Sequence, residues 1–259
     1  MCLIVFAYKC HPTYPLILAG NRDEFYDRPT QNLHVWESEP PIIAGKDLKA
    51  GGTWLGVTDD GLIATLTNYR DIKNLKDHAP SRGDLITEIL LSDDPLLQSL
   101  KSIEKKADLY NGFNLIAGNL NHLYYLSNHN TPFSEIQPGY HSISNSALNT
   151  PWPKTEWALQ RFKKVTRNSK VSEHDLFELL LNTDTYPIEN LPNTGLSPEL
   201  EKAVSSVFIQ TDNYGTRSST VLTVDRDHHL QVTEKVYEPG TTFTKSQNTI
   251  EVELPGKEH

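Results

Sequence analysis

The chain has 259 residues, 37% of them hydrophobic and 22% charged, with a formal net charge of -9. That composition belongs to a globular protein with a sizeable core, and an acidic chain without a basic stripe excludes nucleic acid as the main partner. No apolar run approaches the roughly 18 residues of a membrane span, the early run 2–7 lacks the basic start and length of a secretory signal, and two cysteines make no disulfide framework; a cytoplasmic protein in one domain, 1–259, is the simplest reading.

The elements follow from patterning. Residues 3–8 form a continuous apolar, β-branched run, suited to a strand buried on both faces. The segment 10–15, with two prolines, breaks it, and 16–19 returns as a second strand, so a hairpin is predicted. Further strands are predicted at 54–57, 62–67, 114–117, 123–127 and 141–144, then at 205–209, 218–224, 230–238 and 249–254. Helical spacing of three and four runs through Leu85, Ile86, Ile89 and Leu90, with Ser81 as the cap. Leu96, Leu97, Leu100 and Ile103 form a second stripe. Pro153 suits the first turn of a helix carrying Trp157, Ala158, Phe162 and Val165, and 173–181 makes another. Hairpins, then helices, then strands indicate an α+β protein of antiparallel sheets covered by helices; an α/β/β/α sandwich fits, alongside other α+β folds.

Cys2 follows the initiator directly. Removal of Met1 would leave a thiol and a free α-amine on one residue. An α-amine has a pKa of about 7.7–8.0, so it can act as a base for the best nucleophile a side chain offers. The structural alternative is a small apolar residue opening a buried strand. Asn21-Arg22-Asp23-Glu24 follows the second strand, which puts the four polar residues on the sheet rim near Cys2. There Arg22 would favour the thiolate and Asp23 could hold the amine; a solvated turn with internal ion pairs is the alternative. Asn68 ends the strand that follows Gly61, where its amide can donate into a cleft without titrating, as an oxyanion requires; a turn-forming Asn is the alternative.

Other patterns point away from other chemistries. Gly51-Gly52-Thr53-Trp54 is no phosphate loop, because it lacks the lysine motif and leads into no helix; its glycines suit close backbone approach. Ser81-Arg82-Gly83 suits an anion at a helix start or, more simply, an ordinary cap. The histidines lack metal-ligand spacing, so no metal is expected, and no cofactor is implied. No GxSxG elbow occurs. Tyr8, Tyr26, Trp36, Trp54 and Tyr69 could wall an apolar pocket, but aromatic residues are core residues first.

Cys2 with Asn21-Arg22-Asp23-Glu24 resembles the NRDE family, also called the transport and Golgi organisation protein 2 family. The likeness continues through Gly51-Gly52-Thr53-Trp54-Leu55-Gly56, Leu66-Thr67-Asn68-Tyr69-Arg70, Ser81-Arg82-Gly83, Ser144-Asn145-Ser146, Pro151-Trp152-Pro153-Lys154 and Tyr214-Gly215-Thr216-Arg217-Ser218-Ser219-Thr220. That family is in turn similar to N-terminal nucleophile hydrolases of the choloylglycine hydrolase and penicillin V acylase type. The resemblance implies a four-layer fold and catalytic roles for Cys2, Arg22, Asp23, Asn68, Asn145 and Arg217. Asn145 would orient the nucleophile's amine, with Asn149 as a rival, and Arg217 would close the site. Asn21, Glu24, Trp54, Tyr69 and Arg70 would contact substrate. The implied activity is hydrolysis of an acyl amide. The alternative is a carrier of a haem-like or acyl-CoA ligand, as the wider family's links to haem trafficking and lipid metabolism suggest.

Overall fold

The computed structural model describes residues 2–129 and 133–255. The seven-residue apolar run at the start forms β1 (Cys2–Tyr8), buried throughout. It pairs antiparallel with β2 (Leu16–Phe25), as the hairpin pattern predicts. β3 (Thr30–Val35), β4 (Ile42–Asp47), β5 (Leu55–Thr58) and β6 (Ile63–Asn68) follow, then α1 (Gly83–Leu90) and α2 (Leu96–Lys106). β7 (Phe113–Gly118), β8 (Leu123–Ser127), β9 (Ser134–Glu135) and β10 (Gly139–Ile143) lead to α3 (Pro153–Val165), α4 (Glu173–Leu180) and α5 (Pro198–Ala203). The chain closes with β11 (Tyr214–Val224), β12 (His229–Tyr237) and β13 (Thr244–Glu253).

These strands make two antiparallel sheets, in the orders β10-β1-β2-β11-β12-β13 and β3-β4-β5-β6-β7-β8-β9. Strand alternation sorts the apolar residues into three cores. Ile4, Phe6 and Leu18 meet Ile43, Val57 and Ile116 between the sheets. The opposite faces of the same two strands, with Leu3, Val5 and Ile17, pack on Phe162, Leu176 and Phe177 of α3 and α4. Leu66 and Leu115 of the second sheet pack on Leu85, Ile89 and Leu100 of α1 and α2. The layers therefore run helix, sheet, sheet, helix. A fully buried Phe or Leu stabilises by about 1.5–3 kcal/mol, so packing rather than helix propensity holds the outer layers. Among the described residues no helix is long and apolar enough to cross a membrane.

Several expectations need correction. β2 does not end at residue 19; it runs ten residues and carries Asn21 to Glu24 inside the sheet. Pairing with β1 on one side and β11 on the other satisfies its backbone there, which outweighs the low strand propensity of the polar residues. β3 and β4 are additional strands that the patterning did not reveal. Residues 205–209 are buried but irregular: Phe208 N–H donates to Asn182 O at 2.7 Å and Ile209 N–H to Thr216 Oγ1 at 2.9 Å, so side-chain and loop partners replace a ladder. Ser81 makes no side-chain cap; the residue before α1 is Arg82.

Two glycines bring remote motifs together. A Cβ at Gly52 would lie 2.5 Å from the Gly83 carbonyl carbon, and one at Gly83 would lie 3.1 Å from Thr53 O. The loop before β5 thus rests directly on the start of α1. Gly52→Ala is expected to destabilise the protein by about 1–3 kcal/mol through overpacking against backbone. Urea unfolding reads this; an unchanged midpoint would refute the contact's importance.

Candidate active site

Antiparallel register sets Cys2 opposite Arg22, and Arg22 opposite Ser218 on its other side. The ends of β1 and β2 open into a cavity of about 320 Å³. Its wall includes Cys2, Arg22, Glu24, Trp54, Asn68 and Arg82. Asn68 stands at the end of β6 on the facing sheet, so both sheets contribute to one cleft.

Alternation within β2 divides the tetrapeptide. Arg22 takes the face shared with Leu18, towards the second sheet, and its guanidinium lies 4.1 Å from the centre of the Trp54 ring. Trp54 is held there by Gly45, where a Cβ would come 2.5 Å from the indole. Arg22 is only 6% exposed, and its Nη1 has no hydrogen-bond partner among the described residues. Asn21 takes the helix-facing side and leaves the cavity. Its Nδ2 donates to Leu180 O and Val207 O, both at 2.9 Å, while its Oδ1 accepts from Ser219 Oγ at 2.6 Å. A substrate contact there has no geometric support; Asn21 ties the sheet to the end of α4 and to the segment beyond α5.

Asp23 Oδ1 accepts from Thr216 Oγ1 at 2.7 Å, and burial pushes the carboxyl pKa up. The Cys2 thiol is buried, which pushes its pKa up as well; the Asp23 main-chain N–H on the sulfur and the Arg22 charge pull against that rise. Arg22 therefore acts on the thiol in the expected direction but is outweighed, because desolvation disfavours the charged form.

Asn145 joins the candidates from beneath. Its Nδ2 donates to Asn68 O at 2.9 Å, and its Oδ1 accepts from Arg70 Nη2 at 3.3 Å and shares the Ser144 hydroxyl proton at 3.1 Å. Ser144 Oγ also donates to Cys2 O at 2.9 Å. The strand bearing the thiol and the strand ending in Asn68 are thus tied through the adjacent Ser144 hydroxyl and Asn145 amide. The rival Asn149 closes its own turn instead, with φ 62° and its Oδ1 accepting from Ser142 N–H.

Residues 1–239 match the family model of Transport and Golgi organisation 2. The chain belongs to that family. A Mus musculus Transport and Golgi organization 2 homolog is 34% identical over 276 residues, covering 98% of this chain and 99% of the relative. The Homo sapiens homolog is 36% identical over 257 residues (91% and 92%), and the Drosophila melanogaster protein 26% over 262 residues (91% and 92%). Among solved structures, a Caenorhabditis elegans ortholog of N-acylethanolamine-hydrolyzing acid amidase aligns with a TM-score of 0.49 at 12% identity, covering 85% of this chain and 92% of that one. The C2A mutant of the conjugated bile acid hydrolase from Clostridium perfringens aligns at 0.44 and 9% identity, covering 97% and 92%. These are loose likenesses; the layer order stands on the strands and cores described above.

In this member of the family, three further candidates lie outside the cavity wall. Arg217 sits at the bulge between Thr216 and Ser218. Its Nη1 donates to Phe25 O at 2.7 Å and Arg28 O at 3.1 Å, so it braces the turn after β2 instead of closing the site. Tyr69 stacks on His129 with ring centroids 4.0 Å apart. Arg70 is buried, pairing through Nη1 with Glu201 Oε2 at 2.7 Å and lying 5.3 Å from the Trp152 ring. It supports Asn145 and lies outside the cavity wall.

Sequence reasoning gave no role to Arg28, Asp47 or Lys154, and only a passing one to Arg82. Arg28 grips Asp47 Oδ2 through Nε and Nη2, at 2.7 and 2.6 Å, on the cavity wall. Arg82 and Lys154 did stand inside family motifs, which was the available signal. Asp225, Asp227 and His229 bring possible ligand atoms within 4.8 Å of one another in the β11–β12 turn; there the Asp225 carboxylate accepts the Asp227 and His229 N–H groups, an ordinary turn function.

Lys154 at the start of α3 is buried, with Nζ donating to Val204 O at 3.0 Å. Burial, then repulsion from Arg70, pushes its pKa down to about 8. Below pH 8 both folded and unfolded chains hold the proton, and the fold carries the whole cost of the buried charge. Between pH 8 and 10.5 the folded chain releases it while the unfolded chain keeps it, so stability from this group rises with pH. Against Lys154→Met, the wild type is expected to gain on the order of 3 kcal/mol between pH 7 and 10.5. Parallel urea melts measure this, and a pH-independent difference would contradict it.

Proposed function

We propose that the protein is an acyl-amide hydrolase in which Cys2, freed by removal of Met1, is the nucleophile. The observation that carries this reading is the register that sets Cys2 opposite Arg22 at a cleft, with Asn68 across it and Ser144 and Asn145 tying the two sides. The α-amine of Cys2, with an ordinary pKa of about 7.7–8.0, takes the thiol proton as sulfur attacks the carbonyl carbon. A base on the same residue makes a resting thiolate unnecessary, which suits a thiol whose pKa burial raises. The Asn68 amide donates to the oxyanion, a contribution worth about 2.7–4 kcal/mol in well-studied enzymes. As the C–N bond breaks, the leaving amine takes the proton from the α-ammonium. Water then attacks the thioester, releasing the carboxylic acid and restoring the thiol. Asp23 holds the α-amine, and Asn145 fixes the geometry.

Intact-mass analysis together with a cysteine-directed electrophile tests this directly. The expected result is a chain lacking Met1, labelled at Cys2. Retained Met1, or labelling unchanged in Cys2→Ser, would remove the mechanism.

The raised thiol pKa favours a second reading, a carrier of a haem-like or acyl-CoA ligand in which Cys2 is only a wall. Titration with haemin and with long-chain acyl-CoA separates the two. Saturable binding unimpaired in Cys2→Ala, without turnover of any acyl amide or thioester, would favour the carrier.

A further inference from the structure

Arg22, Arg28 and Arg82 share the cavity wall with Asp23, Glu24 and Asp47, but not every arginine is bonded to a carboxylate. Arg28 is matched by Asp47 through two short contacts. Glu24 accepts the Phe25 N–H and lies 3.9 Å from Arg28. Arg82 has one hydrogen bond among the described residues, from Nη1 to Gly112 O at 3.0 Å, and its other N–H donors are uncommitted there. Arg22, nine-tenths buried, keeps an unpartnered Nη1. Among the described residues neither guanidinium forms an ion pair with a carboxylate. Both line the same cavity beside the thiol.

Glu24 acts on both guanidinia at longer range without bonding either; a buried guanidinium such as Arg22 is costly without a bonded partner, and the planar fork of an arginine matches a carboxylate or phosphate. Asp84 in the first turn of α1 already answers the helix dipole, so the two arginines carry the attraction. We propose that Arg22 and Arg82 form an anion subsite beside Cys2, so that the substrate is an acyl compound bearing a carboxylate or phosphate close to the scissile carbonyl. This rests on the hydrolase reading for the word substrate, but the subsite itself does not depend on turnover.

Binding is measured by calorimetry on the full chain carrying Cys2→Ala, which removes any hydrolysis. The probes are N-acetylglycine, inorganic phosphate and the neutral N-acetylglycinamide. At least one anion is expected to bind saturably, more weakly as salt rises, and at least ten-fold tighter than the neutral amide. Adding Arg82→Gln is expected to weaken the anion by roughly 10–100-fold, as loss of charged hydrogen bonds does. Arg82→Lys keeps part of the affinity and covers the case in which Arg82→Gln fails to fold. Arg161→Gln, on the exposed side of α3, leaves affinity unchanged. Preference for N-acetylglycine assigns a carboxylate substrate, and preference for phosphate a phosphorylated one. Equal binding of the neutral amide, or wild-type affinity in a folded Arg82→Gln, overturns the subsite. Anion binding without turnover in the wild type would remove only the hydrolase reading.

Discussion

Cys2→Ala is expected to lower kcat/KM for acyl-amide hydrolysis by about 10³-fold or more, as loss of a nucleophile does where positioning groups remain. The substitution keeps a small residue at position 2, so it does not interfere with the proposed removal of Met1 or with the α-amine that removal would expose. Truncating one buried sulfur at a strand start costs on the order of 1 kcal/mol, so the fold survives and the loss is chemical. Cys2→Ser separates the roles further: it retains shape and a proton but offers a poorer nucleophile. Chromatographic product assays on folded variants measure both. Turnover persisting in Cys2→Ala would assign the chemistry to another group or to a contaminant.

Glu201→Ala is expected to destabilise the protein by about 3–5 kcal/mol, the range for breaking a buried ion pair. Arg70 and Glu201 side chains are 4% and 6% exposed and meet at 2.7 Å. Glu201 Oε1 also accepts the Thr194 N–H at 2.8 Å and the Thr194 hydroxyl. Its loss therefore leaves a buried guanidinium short of charge and frees the loop before α5. For a chain of this size the melting temperature should fall by roughly 10 °C. Because Arg70 supports Asn145, which with Ser144 ties β1 to Asn68, activity should fall with it. The comparison is Glu88→Ala, which removes the pair with Lys106 at 37% and 32% side-chain exposure; screened by solvent, that change should cost under about 1 kcal/mol. Equal effects of the two substitutions in calorimetric melts would refute a structural role for the buried pair.

Hydrophobic periodicity alone located most of the strands and helices from which the layers are built. The runs around Ile4, Leu115 and Leu222 read as buried strands, and the stripes through Leu85, Leu100, Phe162 and Leu176 read as helices, because one apolar face must be covered whatever covers it. The nearness of Arg22 and Asp23 to Cys2 was also legible, since a short antiparallel hairpin permits few registers. What patterning missed were the two-residue β9, the length of β2, and β3 and β4, whose polar and glycine-containing sequences take strand form from their neighbours.

The roles of single polar residues were decided only in three dimensions. Adjacent residues of a strand point to opposite faces, so Arg22 turns to the cavity while Asn21 becomes a strut to Leu180 and Val207. The partners that make Arg70 a support, Glu201 and Asn145, lie 131 and 75 positions away in the chain. Arg82 acquires its place beside the thiol because Gly52 and Gly83 permit backbone contact between remote segments. Residue types and local spacing carry chemistry and period, whereas long-range packing chooses which side chains share a cleft.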